Sequence, residues 1–243
     1  MSDNELVKHV EAAYKALSNK EMPWAHKIRE VIGEILIIIV AVTLTIWFHN
    51  WSESWKEKRE VRDFLTGLRE DVRADSTNAV EARTFYVHAL MHYAYLFKVS
   101  GGQQPNQDSL RKAFSVFFSS TTLDPHTSRY EGFKASGKFD LIHNQDLLDD
   151  IIQLHETVIK RVELLDGYYS DHINRLGTYV EQHGQLSTDG TTIENSEALL
   201  RTSEMRFLLI YGTDFINGNQ MSAHDTCLAR CHELIHRIDK ELD

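Results

Sequence analysis

Two cysteines, three prolines and twelve glycines are all that 243 residues hold of the types that staple, kink or loosen a chain. Cys227 and Cys231 lie four apart and exclude a disulfide framework, leaving the redox compartment open. On a helix they share a face on which a bond is geometrically awkward, so they read as two small buried hydrophobes. So little Pro and Gly leaves few places to break a helix, which favours an α-rich fold. No run of alternating β-branched residues marks a strand, and no internal repeat is present. There is no Gly-x-Ser-x-Gly. Gly101-Gly102 is not followed by the Gly-Lys-Ser/Thr of a phosphate cradle. Positive charge is also short: 26 Lys and Arg against 36 Asp and Glu give a net charge of −10. Without a dense basic patch the chain is not expected to bind nucleic acid.

What the sequence does hold is a long uncharged run. Residues 35–48 read ILIIIVAVTLTIWF, extended toward the N-terminus by Val31, Ile32 and Gly33 across a single Glu34. Val31 to Phe48 is about the shortest stretch that crosses a bilayer core, and it lacks the polar face of an ordinary core helix. The four tryptophans bracket it, Trp24 before and Trp47, Trp51 and Trp55 after, which is the interfacial placement this residue favours. Charged residues flank both ends: Lys27, Arg29 and Glu30, then Lys56, Glu57, Lys58 and Arg59. The run starts too late, is too long and lacks the cleavage site of a signal peptide. One transmembrane helix is therefore expected. Lys and Arg are balanced on its two sides, so charge leaves its orientation open. Glu34 reads as a headgroup-level carboxylate or as a polar contact between neighbouring spans, with Thr43 and Thr45 offering hydroxyls inside the run.

Three segments follow from the pattern. Residues 1–22 form an arm with Leu6, Val10, Ala13 and Leu17 at helical spacing. Residues 24–72 form the transmembrane helix with a juxtamembrane extension. Its Val61, Leu65, Leu68 and Val72 recur at coiled-coil spacing, as a self-association seam or as one face of a helix packed on its own domain. A break is expected at Asp75-Ser76-Thr77-Asn78, followed by a helical domain over 78–243. That domain is read as helices ending near Val99 and Phe118, a short one around Tyr130–Ser136 stopped by Gly137, a long one over Gln145–His183 capped by Asn144, and two more near Ser196–Phe215 and Ser222–Leu242. The fold class is all-α: one N-terminal transmembrane helix and a helical bundle.

Thirteen histidines is a high count, and His232, Glu233 and His236 have the spacing of metal ligands on one helix. A di-iron bundle needs two Glu-x-x-His pairs with further carboxylates, and the second pair is missing. Scattered histidines are the plainer reading. No cofactor and no catalytic residue is assigned.

One resemblance emerges. Ile32-Gly33-Glu34-Ile35-Leu36, the apolar span and Asn50-Trp51-Ser52-Glu53 are similar to the signature of an uncharacterised bacterial family of short single-span membrane proteins, a domain of unknown function. Phe64-Leu65, Leu68 and Asp71 continue the pattern. It returns at Tyr130, Ser136-Gly137, Leu141-Ile142, Asn144 and Leu147. It covers about residues 28–155 and nothing from Gly184 onward, and Phe48-His49 departs from it. The resemblance implies a bacterial inner membrane and a downstream helical domain. Together with the short N-terminal tail it favours a cytoplasmic N-terminus and a periplasmic C-terminal domain. It carries no activity. The leading functional expectation is a non-enzymatic, membrane-anchored interaction or scaffold protein that self-associates and meets the bilayer and other membrane proteins. A sensor binding a ligand between its helices, and a metal-dependent or redox enzyme using the C-terminal His/Cys helix, stay open.

Overall fold

A computed structural model describes residues 8, 11, 12, 14, 15, 24–188, 190 and 192–243. Most of the N-terminal arm lies outside these, though Lys8, Glu11, Ala12, Tyr14 and Lys15 are helical. The described residues are almost wholly helical, with no strand and a single isolated antiparallel bridge between Leu186 and Ile193.

Helix α1 runs unbroken over Trp24–Ser100, 77 residues. The break expected at Asp75-Ser76-Thr77-Asn78 does not occur. Each of these side chains finds a partner without interrupting the helix. Asp75 accepts from the His126 backbone N–H at 2.8 Å and Ser76 Oγ meets His232 Nε2 at 3.3 Å. Thr77 Oγ1 donates to its own Arg73 carbonyl, and Asn78 Nδ2 donates to the Asp124 carbonyl at 3.1 Å. Polar residues of the kind that favour helix ends are here used in tertiary contacts.

The chain forms two compact units, residues 1–61 and 62–243. In the first, α1 carries the apolar run, and no residue of its most apolar 18-residue window, of mean hydropathy 2.5, is buried. Among the described residues α1 is the one helix long and apolar enough to cross a membrane.

In the second unit, residues 65–96 of α1 form the central seam. Leu65, Leu68, Val72, Asp75, Ala79, Ala82, Tyr86, Ala89, Tyr93 and Leu96 recur at alternating spacings of three and four, and all are buried. This is a heptad pattern filled by the chain's own helices. Unit 62–243 therefore begins well before residue 78, and Leu65, Leu68 and Val72 are core residues rather than a free seam. Phe64 beside them stacks on Phe133 with ring centroids 3.8 Å apart.

Helix α2 (Gln107–Phe114) starts at Asn106, whose side chain accepts from Ser109 N–H, and tightens into a 3₁₀ turn over Ser115–Phe118. Helix α3 (Ser128–Ala135) ends just before Gly137, whose φ of 69° a side chain would oppose. Asn144 caps α4 (Gln145–Gln153), and the helix continues through a π segment, Leu154–Ile159, into α5 (Lys160–His183). The expected 145–183 helix is thus continuous but carries a π segment. After α6 (Ser196–Leu200) and α7 (Ser203–Phe215), a second π segment, Ile216–Gln220, joins α7 to α8 (Met221–Leu242), so the stop expected between Phe215 and Ser222 is absent.

α5 and α7 pack antiparallel. Tyr179 Oη donates to Thr202 Oγ1 at 2.9 Å, and Gly212 faces His172. Tyr86, Tyr93, Leu96, Tyr169, Leu176, Leu209 and Ile216 form the centre of one apolar cluster joining α1, α5 and α7.

Candidate functional site

The apolar segment of α1 is the first candidate. Trp47, Trp51 and Trp55 repeat every fourth residue and form a ladder on one face. Trp47 and Trp51 stack at 6.4 Å, and Trp51 meets Trp55 edge-on at 6.1 Å. All three are exposed. Trp24 opens the helix, and its side chain lies outside the described residues. Thr43 and Thr45 donate to the Ile39 and Ala41 carbonyls at 2.8 Å, one turn back. Their hydroxyl protons are therefore used within the helix rather than offered to a neighbour. Glu34 is half-buried and Val61 is half-exposed.

The interior of unit 62–243 holds a polar network that sequence spacing did not single out. Asp166 on α5 is fully buried. One carboxylate oxygen accepts from Tyr86 Oη at 2.7 Å and lies 3.3 Å from His224 Nε2, while the other accepts from Leu123 N–H at 2.8 Å. Gln220 Nε2 donates to the Tyr86 oxygen at 3.1 Å. Burial, reinforced by the Asp166 charge, pushes the Tyr86 phenol far above its ordinary range, so it stays protonated and donates. Tyr93, Tyr169 and His172 lie one and two turns along the same faces. His172 rests between Tyr93 and Tyr211, and burial, with Arg175 nearby, lowers it to about 4. With every member enclosed, this arrangement fixes which turn of α1 meets which turn of α5 and α8 rather than offering a nucleophile to solvent.

A second polar contact sits one end further along α1. Both the backbone N–H and the ring Nδ1 of His126 lie within 2.8 Å of Asp75 Oδ1. Burial raises the Asp75 carboxyl, while its hydrogen bond raises the His126 ring. In the π segment, His155 stacks on Tyr130 at 4.2 Å and is lowered by burial to about 4. Next to it, Glu156 accepts from Tyr130 Oη and Lys134 Nζ.

The C-terminal helix does not assemble its candidate ligands. Glu233 accepts from Arg230 at 2.8 Å and Arg237 at 3.3 Å, and His232 turns to Ser76. Among the described residues no three of His, Cys, Asp and Glu, His236 included, are grouped as a metal site. Cys227 and Cys231 are free and buried, and the Cys231 thiol is pushed up by its hydrogen bond with Cys227 and by burial.

An open groove of about 670 Å³ lies between α2 and residues 186–198. Leu110, Phe114, Phe118, Leu186 and Ile193 form its apolar walls, and Arg111, Glu194 and Glu197 line it. Asn195 braces the loop by accepting from Gln185 N–H and donating to the His183 carbonyl.

From sequence, Asp75 falls at an expected break and Asp166 is not singled out; the signal lies in the three-four spacing, which continues through Asp75 to Tyr86 and Tyr93. Comparison with protein-family models, curated proteins and solved structures finds no match to this chain.

Proposed function

We propose that this chain is a single-span membrane protein whose helical unit, residues 62–243, serves as a non-enzymatic scaffold that self-associates and meets other membrane proteins. One observation carries the anchor. From Ile32 to Phe48 the large apolar side chains other than Ile38 are 44–59% exposed, and they point to every side of α1. A helix that is apolar all round and unburied by protein is stable where lipid covers it. The Trp47–Trp51–Trp55 ladder fits the interfacial end of such a span. The similarity of residues 28–155 to a bacterial single-span family supports an inner-membrane setting, with the arm inside and unit 62–243 outside.

The test is retention in membranes after an alkaline wash. The wild-type chain stays in the pellet. A Leu36→Arg, Ile39→Arg variant is lost from it, because each charge costs about 2.5–3.5 kcal/mol at the centre of a span on insertion scales. Wild-type protein in the alkaline supernatant overturns the anchor.

A second reading has one observation in its favour. The groove between α2 and residues 186–198 has a volume within the range of small-molecule sites, about 300–1,000 Å³, and a mixed apolar and charged lining. It suits a sensor that binds an amphipathic ligand. Thermal-shift screening of the intact protein with and without Phe118→Ala separates the two readings.

A further inference from the structure

The Trp47–Trp51–Trp55 ladder runs into positive charge. Lys58 and Arg59 follow Trp55 by three and four residues, so they stand one turn further along the same face of α1. Both are exposed, and among the described residues neither has an ion-pair partner. The acids of this stretch lie elsewhere. Glu53 and Glu57 are each two residues from Trp55 and therefore on the opposite face, which Glu60 continues at the next turn. His49 is on that side too, 3.8 Å from Glu53. Lys56, one residue after Trp55, stands off the ladder by about 100°. One face is thus aromatic and basic and the other acidic, on a helix whose adjoining apolar run no protein covers.

Depth selects the occupant. At about 1.5 Å per residue, Lys58 and Arg59 stand about 15 Å beyond Phe48, where the apolar run ends. Headgroups extend about 5–8 Å past the hydrocarbon, and the field of anionic lipids decays over about 8 Å more at physiological salt. Side chains on a helix lean toward its N-terminus, which in α1 is toward the apolar run, so both long stems carry their charges back into that zone. Glu53 and Glu57 are repelled by the same field, and a helix tilted onto its Trp face moves them away from it; spans tilt by about 20° on average. A zwitterionic headgroup has no net charge for the two cations to meet.

We propose that Trp51, Trp55, Lys58 and Arg59 form a binding face for the anionic headgroups of phospholipids at the C-terminal end of the span. This rests on the reading of α1 as a membrane anchor, and it names the lipid that the anchor selects. The indoles sit at headgroup level, and the two cations above them meet lipid phosphate oxygens, of which the Arg59 fork can take two at once.

The test reconstitutes the full-length protein in phosphatidylcholine vesicles. Electron spin resonance then reads how much spin-labelled phosphatidylglycerol, and how much spin-labelled phosphatidylcholine, is immobilised at its surface. Wild type is expected to hold phosphatidylglycerol at least about threefold over phosphatidylcholine, one cation near an anionic surface being worth about fivefold. Most of that preference is lost in about 1 M salt, where screening acts within about 3 Å. The double variant Lys58→Gln, Arg59→Gln at least halves it, whereas Lys58→Arg, Arg59→Lys keeps it. Lys56→Gln, at the same depth but off the ladder, leaves it unchanged. Circular dichroism confirms that each variant keeps its helicity. Wild-type protein left outside the vesicles overturns the anchor and this site together. Inserted protein without a preference, or with one that the double glutamine variant does not move, overturns the site alone, as does a loss as large in Lys56→Gln as in that variant. A double variant that loses oligomeric mass in mild detergent while its lipid preference stands gives the basic face to a second copy instead and likewise overturns the lipid site.

Discussion

Gly212 and two histidines show how much of the stability of unit 62–243 rests on single side chains. A Cβ on Gly212 would lie 2.7 Å from His172 Nε2 and 2.8 Å from the Tyr93 ring. Both neighbours are buried, so Gly212→Ala is expected to destabilise by about 1–3 kcal/mol through overpacking. Gly167→Ala, in α5 with nothing within 4 Å of its Cβ, is expected to stabilise by about 0.5–1 kcal/mol, since Ala is the better helix former. Thermal unfolding of the detergent-solubilised variants should move the two midpoints in opposite directions. His155 and His172 give a pH signature. Burial is the leading cause that lowers each to about 4 from an ordinary value of 6.5. Between those values the unfolded chain binds the protons and the folded chain does not, so stability rises with pH across that window. It is full above about pH 6.5 and lost as pH falls toward 4, by up to about 3 kcal/mol per histidine. Urea midpoints at pH 7 and 4.5 check this, and His172→Phe should flatten the dependence. A pH-independent midpoint in the wild type contradicts the assignment.

At the scale of elements, α1 is governed by one periodic pattern with two different faces to satisfy. Residues 65–96 obey a three-four spacing that places Ala79, Ala82 and Ala89 in the seam. Those small side chains let neighbouring helices approach closely, so Ala82→Leu is expected to cost about 1–3 kcal/mol. Val80→Leu, on the exposed side of the same turn, should change stability by less than about 0.5 kcal/mol. Leu68→Asp buries a charge with no partner and is expected to abolish the cooperative transition of unit 62–243, not merely to dissociate an oligomer. Circular dichroism at increasing temperature distinguishes the two outcomes. The π segments at Leu154–Ile159 and Ile216–Gln220 each carry a buried polar residue, His155 and Gln220. The longer-period turn brings these side chains inward within helices whose overall length the hydrophobic pattern already predicts.

At the scale of the whole molecule, the proposed topology has a direct check. Gln104 lies on an exposed loop after α1. Cys227 and Cys231 are buried, so a Gln104→Cys variant offers one accessible thiol among the described residues. In intact spheroplasts it should react with an impermeant maleimide. Labelling only after lysis reverses the orientation.

The sequence by itself determined that the described chain is helical, with one apolar helix long enough to span a bilayer. Both follow from local quantities: scarce Gly and Pro, and a run of side chains with no charge. Helix ends set by a single residue, such as Asn144 and Gly137, were legible for the same reason. Asp75-Ser76-Thr77-Asn78 was not, because these residues end a helix when their side chains turn back on the local backbone. Here His126, His232 and Asp124, distant in sequence, take three of those side chains instead. The fate of Leu65, Leu68 and Val72 was equally closed to inspection. A short heptad looks alike whether its partner is another chain or a later segment of the same one. Tertiary structure made that choice, by folding α3, α5 and α8 back onto α1.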